Sequence, residues 1–225
     1  GEPVALSLEG TAQLAAGEGS ANVTANRLDG KSGVFRIDGS YDNATKTLGL
    51  DVALEEGKDG IAARLLNLPG RPSVALTVAG TAPISEYAAN LTIATDGQER
   101  ITGDFAVNST TGETGFALNV GGDLTPLLAP DYQGFFGPDV SLIAAGSIAQ
   151  TGAFSLTTLD LTAQSLVLNG QVNVGPSGWP ESIDLTGSIR NPGGQPVLLP
   201  LGGPKTYVDN VDLAVRRGEL FSLLG

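Results

Sequence analysis

Asp38, Asp42 and Asp51 come closest to a metal-ligating group in this sequence, and they lack the ligand order of a calcium loop. Solvated turn and strand positions describe them better. Glu55-Glu56 and Glu86 supply the carboxylates that glycoside hydrolysis uses. A sugar cleft would also want stacking aromatic rings, and the chain has a single Trp, Trp179, beside Pro180. The tripeptides that begin at Asn22, Asn43, Asn90 and Asn108 match the glycosylation acceptor pattern, yet Asn and Thr are ordinary residues on the wet side of a strand. The chain contains no Cys and no His, which removes disulfides, thiolate nucleophiles, zinc-thiolate sites and the commonest general base and metal ligand. The sequence therefore reads as a non-enzyme, with no catalytic residue, metal or cofactor.

The chemistry that remains is that of an apolar surface. In 225 residues there are 32 Gly, with 5% aromatic and 16% charged residues, a composition of strands and tight turns with light side-chain packing. The net charge of -12 opposes nucleic acid and docking on anionic headgroups, and it leaves acyl chains open as ligands. No apolar run reaches the roughly 18 residues of a membrane-spanning helix, and no basic segment followed by an apolar one opens the chain. A start directly in a strand at Glu2-Pro3-Val4 is what an internal piece of a longer protein would show.

One stretch recurs. Pro72 to Ala82 reads PSVALTVAGTA; near the N-terminus Val4, Ala5, Leu6, Gly10, Thr11 and Ala12 match it 70 residues earlier, and Val140, Leu142, Ala145 and Gly146 match it about 66 residues later. Ala21-Asn22-Val23-Thr24 returns as Ala89-Asn90-Leu91-Thr92, and Ile37-Asp38-Gly39 as Ile101-Thr102-Gly103 and Leu168-Asn169-Gly170. A period this long suits a several-stranded β unit copied along one continuous array. The expected units are residues 3–71, 72–137 and 138–225, with no linker dividing them.

Within each unit, apolar and polar residues alternate with period two, as in Leu48, Leu50, Val52 and Leu54 against Asp51 and Glu55. Asp29-Gly30, Gly39-Ser40, Asp42-Asn43 and Asp96-Gly97 are turn signals, which gives about five strands in the first unit and some fourteen in all. Two segments break the period. Residues 59–67 predict a short helix capped by Asp59 and ended by Pro69-Gly70. Residues 121–138 predict a short turn capped by Asp123, with Leu127, Leu128, Tyr132, Phe135 and Phe136 as the densest apolar cluster, packed against an edge or plugging a groove mouth. The third junction, residues 191–204, is too rich in Pro and Gly for a helix.

One dry face per strand is also what a packed β-sandwich needs. Against that, the dry positions hold few aromatics to fill the roughly 10 Å between two sheets, and each unit restarts with the same strand. The preferred fold class is all-β: an elongated, curled antiparallel sheet with an apolar interior and short helices or loops between repeats. The candidate groove-lining residues are Leu6, Leu8, Phe35, Ile37, Leu50, Val52, Leu76, Val78, Leu91, Ile93, Phe105, Val107, Leu118, Val120, Leu168 and Val172. The alternatives are a scaffold whose strand edges pair with other strands, and a fully packed, adhesin-like solenoid.

Several pieces in order resemble one family. Leu66-Asn67-Leu68-Pro69-Gly70-Arg71-Pro72 with Gly80-Thr81-Ala82-Pro83-Ile84-Ser85, Ala94 to Gly103, and Asp123-Leu124 to Pro138 with Phe135-Phe136-Gly137 are similar to the repetitive middle of the alphaproteobacterial TamB family of translocation and assembly module subunits. The resemblance implies a periplasmic segment of an inner-membrane-anchored protein, partnered with the outer-membrane barrel TamA. It also implies kinship with AsmA-like, bridge-like lipid transfer proteins: a β-taco, or repeating β-groove, whose greasy interior carries phospholipid acyl chains and which serves outer-membrane protein assembly. Nascent outer-membrane proteins are the further partner it suggests.

Overall fold

The computed structural model describes residues 4–201 and 204–216. Glu2 and Pro3, and the outer limits of the first and third expected units, lie outside the described residues. The fold is all-β, 62% strand and 7% helix, and its thirteen strands of antiparallel sheet do not close into a barrel. The open, all-β antiparallel architecture expected from the alternation is the one the chain forms. Two compact units divide the chain, Gly1–Asn108 and Ser109–Gly225.

The first unit is a meander: β1 (Leu6–Ala15), β2 (Glu18–Arg27), β3 (Gly33–Asp42), β4 (Thr47–Glu56), β5 (Val74–Pro83), β6 (Glu86–Thr95) and β7 (Gln98–Thr110, in this unit as far as Asn108). Each strand pairs antiparallel with the next. Four strands precede the first junction, one fewer than expected, because Gly39-Ser40 lies inside β3 and makes no turn. The β1–β2 hairpin instead turns at Ala16-Gly17, both at positive φ, a signal absent from the expected turns. Asp96-Gly97 turns β6 into β7 as expected, with φ of 50° and 76°.

The first junction holds the helix α1 (Ile61–Leu65), shorter than the expected 59–67. Asp59 does not cap it. The cap is Glu56, the last residue of β4, whose carboxylate accepts from the backbone N–H of Ile61 at 3.0 Å and of Ala62 at 2.7 Å. These are donors that the first turn of a helix leaves without internal partners.

The second unit contains β8 (Glu113–Gly122), β9 (Val140–Ala149), β10 (Phe154–Thr162), β11 (Leu166–Val174), β12 (Pro180–Ile189) and β15 (Val211–Val215), again antiparallel neighbours in that order. Its first junction carries a 3-10 turn, Thr125–Leu127, then α2 (Pro130–Phe136). Asp123 opens the turn by accepting from Thr125 N at 2.9 Å, as expected. The third junction forms the small hairpin β13 (Val197–Leu198) and β14 (Tyr207–Val208), with no helix among the described residues.

Phe135 is 5% exposed and meets Phe136 edge-on at 5.0 Å. The carbonyls of Phe136 and Phe135 accept from Gln164 N and Ser165 N in the β10–β11 turn. Of the expected aromatic and leucine cluster Phe135 is the buried member, and the end of α2 is tied to the β10–β11 turn by its backbone. Between β9 and β10 the pairing slips around Thr157, which leaves Leu156 and Leu159 both opposite apolar residues. Gly146 in β9 carries a very tight approach: an added Cβ would stand 2.1 Å from Ser155 O and 2.9 Å from the ring of Phe116. Replacing Gly146 with Val is expected to lower unfolding free energy by about 2–3 kcal/mol in urea titration, since strand backbone would have to move.

Candidate functional site

Directly paired residues of antiparallel strands share a face, so the registers sort every strand residue onto one of two faces. In the first unit, one transverse row runs Leu8, Ala25, Phe35, Leu54, Leu76, Ile93, Ile101. The next runs Gly10, Val23, Ile37, Val52, Val78, Leu91, Gly103. Beyond it come Ala12, Ala21, Gly39, Leu50 and Gly80, then Leu14, Gly19, Tyr41, Leu48 and Ala82. Leu6 opposite Arg27, and Phe105 and Val107 opposite Ala89 and Tyr87, complete the face.

The second unit repeats the pattern. Val120, Leu142, Leu161, Leu168, Gly187 and Leu213 form one row, and Leu118, Ala144, Leu159, Gly170, Leu185 and Val215 the next. Phe116, Gly146, Leu156, Val172 and Ile183 form a third, with the rings of Phe116 and Phe154 stacked at 5.9 Å.

All sixteen residues singled out from the sequence lie on these apolar faces, twelve in the first unit and Leu118, Val120, Leu168 and Val172 in the second. The same faces also hold Tyr41, Leu48, Leu54, Leu142, Leu159, Leu161 and Leu185, which the shorter selection omitted. Leu156, three residues before Leu159, shares that face only because of the bulge at Thr157.

Burial distinguishes this sheet from a sandwich. Sheets packed face to face bury their inner residues, but here most face residues are half-buried and Leu8 is 73% exposed. The only other sheet among the described residues is the β13–β14 hairpin. On the first unit's apolar face a hollow of about 310 Å³ is lined by Ala12, Leu14, Ala21, Gly39, Tyr41 and Leu48.

The opposite face is polar. A hollow there of about 420 Å³ is lined by Thr11, Gln13, Asn22, Asp38, Asp51 and Thr81 among others. Asp38 and Asp51 sit directly opposite one another, Asn22 donates to Asp38, and Asp42 instead accepts from Thr45 N in the β3–β4 turn. Among the described residues no three acidic groups converge on a metal position. Among them too, no helix is long and apolar enough to cross a membrane.

Charge enters the apolar face of the first unit at one end only. Arg27 lies across Gly33, where an added Cβ would stand 2.4 Å from its Cδ. Its Nε donates to Asp29 at 3.0 Å, and Nη1 lies 3.8 Å from Glu56 Oε1, with both side chains 4% exposed. The guanidinium holds the Asp29 carboxyl below the usual carboxylate range. Nearby, Asp59 accepts from Arg64 at 2.7 Å, Lys31 at 3.0 Å and Arg71 at 3.0 Å, which fixes the α1 loop to the β2–β3 turn. Arg64 first, then Lys31 and Arg71, hold the Asp59 carboxyl far below its ordinary range. Sequence reading gave the helix cap to Asp59 and not to Glu56.

Comparisons with family models, with curated proteins and with solved structures give no match.

Two outcomes follow for this end of the sheet. Glu56→Ala removes two helix acceptors and leaves the buried Arg27 with Asp29 as its only nearby carboxylate, so it is expected to cost about 3 kcal/mol in chemical denaturation, against under about 1 for the wet-face Glu55→Ala. For Asp59 the folded pKa is depressed, so its contribution is complete above the unfolded value of about 4 and is lost as pH falls through the folded value. The stability gap between the parent and Asp59→Asn is therefore expected to be constant near neutral pH and to shrink below about pH 4, read from urea midpoints across pH.

Proposed function

We propose that the apolar face of each unit binds the acyl chains of phospholipid while headgroups remain in water. In this reading the chain is a periplasmic segment of an inner-membrane-anchored bacterial protein of the TamB kind. The whole protein, with the barrel TamA as its partner, would carry phospholipid between the two membranes and serve outer-membrane protein assembly.

The observation that carries the reading is a set of largely aliphatic rows on one face of each unit, mostly half-buried, with the two-stranded β13–β14 hairpin the only other sheet among the described residues. Apolar surface of that extent calls for an occupant. Burial of each acyl methylene gains about 0.8 kcal/mol, enough for a chain of methylenes to hold a lipid without any special polar residue. Fourfold-coordinated metals, general bases and thiols have no part in such binding, and a sequence without Cys or His loses nothing by lacking them. The family resemblance in residues 66–72, 80–85, 94–103 and 123–138 points the same way.

Native mass spectrometry of the purified chain, with lipid extraction of the same sample, tests it. The parent is expected to carry phospholipid. Leu50→Asp and Leu118→Asp, each placing a carboxylate in the middle of a face, are expected to lose most of it, while Thr77→Asp on the opposite face keeps it. Equal lipid in a folded Leu50→Asp or Leu118→Asp chain, or a folded parent that takes up no added phospholipid, would overturn the proposal.

A further inference from the structure

Trp179, the single Trp of the chain, is 76% exposed, although an indole is ordinarily among the most buried side chains. It closes the β11–β12 hairpin. Gly175 N donates to Trp179 O at 2.9 Å, and Gly178, at a φ of 81°, completes the turn between them. Paired residues share a face, so Trp179 stands on the side of Gly175. Val174, the residue before Gly175, pairs with Phe154 on the apolar face. Gly175 and Trp179 therefore belong to the opposite, polar face of the second unit.

The same end of that face holds a hollow of about 150 Å³, comparable to one sugar ring, lined by the carboxylates of Glu113 and Glu181, the hydroxyls of Ser147 and Ser155, and the amide of Asn173 among others. No Lys or Arg lines it. Ser147, Ser155, Asn173 and Ser182 form one transverse row. Two hydrogen bonds fix the row: Ser155 Oγ donates to Asn173 Oδ1 at 2.7 Å, and Asn173 Nδ2 donates to Ser182 Oγ at 2.8 Å. Glu181 is the residue left unpaired where the β11–β12 register slips. Its carboxylate lies over Gly175, where an added Cβ would stand 2.3 Å from Oε1. The bulge thus brings an acceptor to the foot of the hairpin that Trp179 closes.

An exposed indole beside fixed polar groups is a combination suited to a pyranose. The electron-rich face of the indole receives the C–H face of the sugar ring. Carboxylates accept its O–H groups, and serine hydroxyls both give and accept. Two carboxylates without a cation favour a neutral sugar over a phosphorylated or acidic one. We infer that this hollow, together with Trp179, is a subsite for one pyranose ring of a neutral glycan. The inference does not rest on the lipid reading, because the site lies on the face opposite the aliphatic rows.

Tryptophan fluorescence of the intact chain reports this position alone, since no other Trp is present. Titration with tetra-N-acetylchitotetraose and with cellotetraose, both neutral, is expected to change the emission saturably for at least one of them, with a Kd of about 1 mM or below. In calorimetry Trp179→Ala is expected to weaken that binding at least about tenfold, Trp179→Phe less, and Glu181→Gln about tenfold. Leu50→Asp, on the apolar face of the other unit, is expected to leave it unchanged, which separates this site from lipid uptake. Absence of a saturable response to either sugar up to about 10 mM overturns the inference, as does equal affinity in Trp179→Ala. A blue shift with phosphatidylcholine vesicles, where neither sugar has an effect, would make the hairpin tip a membrane contact and overturn the choice of ligand.

Discussion

An open antiparallel sheet satisfies its own backbone through the ladder but cannot, by itself, hide both of its faces. Every strand residue must point to one side or the other, so apolar side chains selected for one side accumulate there in rows. In this chain the rows are made by direct cross-strand pairs such as Ile37–Val52–Val78–Leu91, and these half-buried contacts take the place of a closed core. Fully buried apolar residues are correspondingly few and small, and those with bulk sit mainly at strand ends, as Phe135 does beside α2 and Leu68 after α1. The short helices therefore finish the ends of the sheet and leave its face uncovered.

Finishing an end has its own electrostatic logic. Glu56 belongs by register to the apolar face, since it pairs with Gly33 and Val74, yet it is the residue that anchors α1. The arrangement works because Gly33 leaves space for Arg27 to cross the sheet and stand near that carboxylate, while Gly60 leaves space on the helix side, where a Cβ would come 2.8 Å from Glu56 Oε2. A carboxylate buried alone would be costly; one shared between two backbone N–H donors and a nearby guanidinium is compensated. Asp59 then needs no role in the cap and serves as a three-way ionic tie at the surface of the same loop.

Much of this was legible in the sequence because alternation with period two specifies faces directly. Leu50, Val52, Leu76 and Val78 could be assigned to one face without coordinates. What was hidden depends on pairing. Leu156 and Leu159 are three apart and share a face only through the bulge at Thr157. Gly39 reads as a turn residue, whereas its register with Ala21 and Leu50 makes it part of the floor of the apolar face. Glu56 looks like the wet end of an amphipathic strand until α1 folds back to meet it.

The same geometry bears on how a lipid would move if it occupies these faces. Successive strands lie about 4.8 Å apart, so a chain of methylenes displaced by one strand meets the next members of the same rows, mostly Leu, Ile, Val, Ala or Gly. Its burial is nearly unchanged from one strand to the next, which keeps barriers low while the total gain, at about 0.8 kcal/mol per methylene, stays large. A deep aromatic pocket would do the opposite, holding one ligand in one place. Most positions in the rows are Leu, Ile, Val, Ala or Gly, and several of the rings that share the face pack on each other, Phe116 stacked on Phe154 and Tyr87 tilted against Phe105 at 6.5 Å.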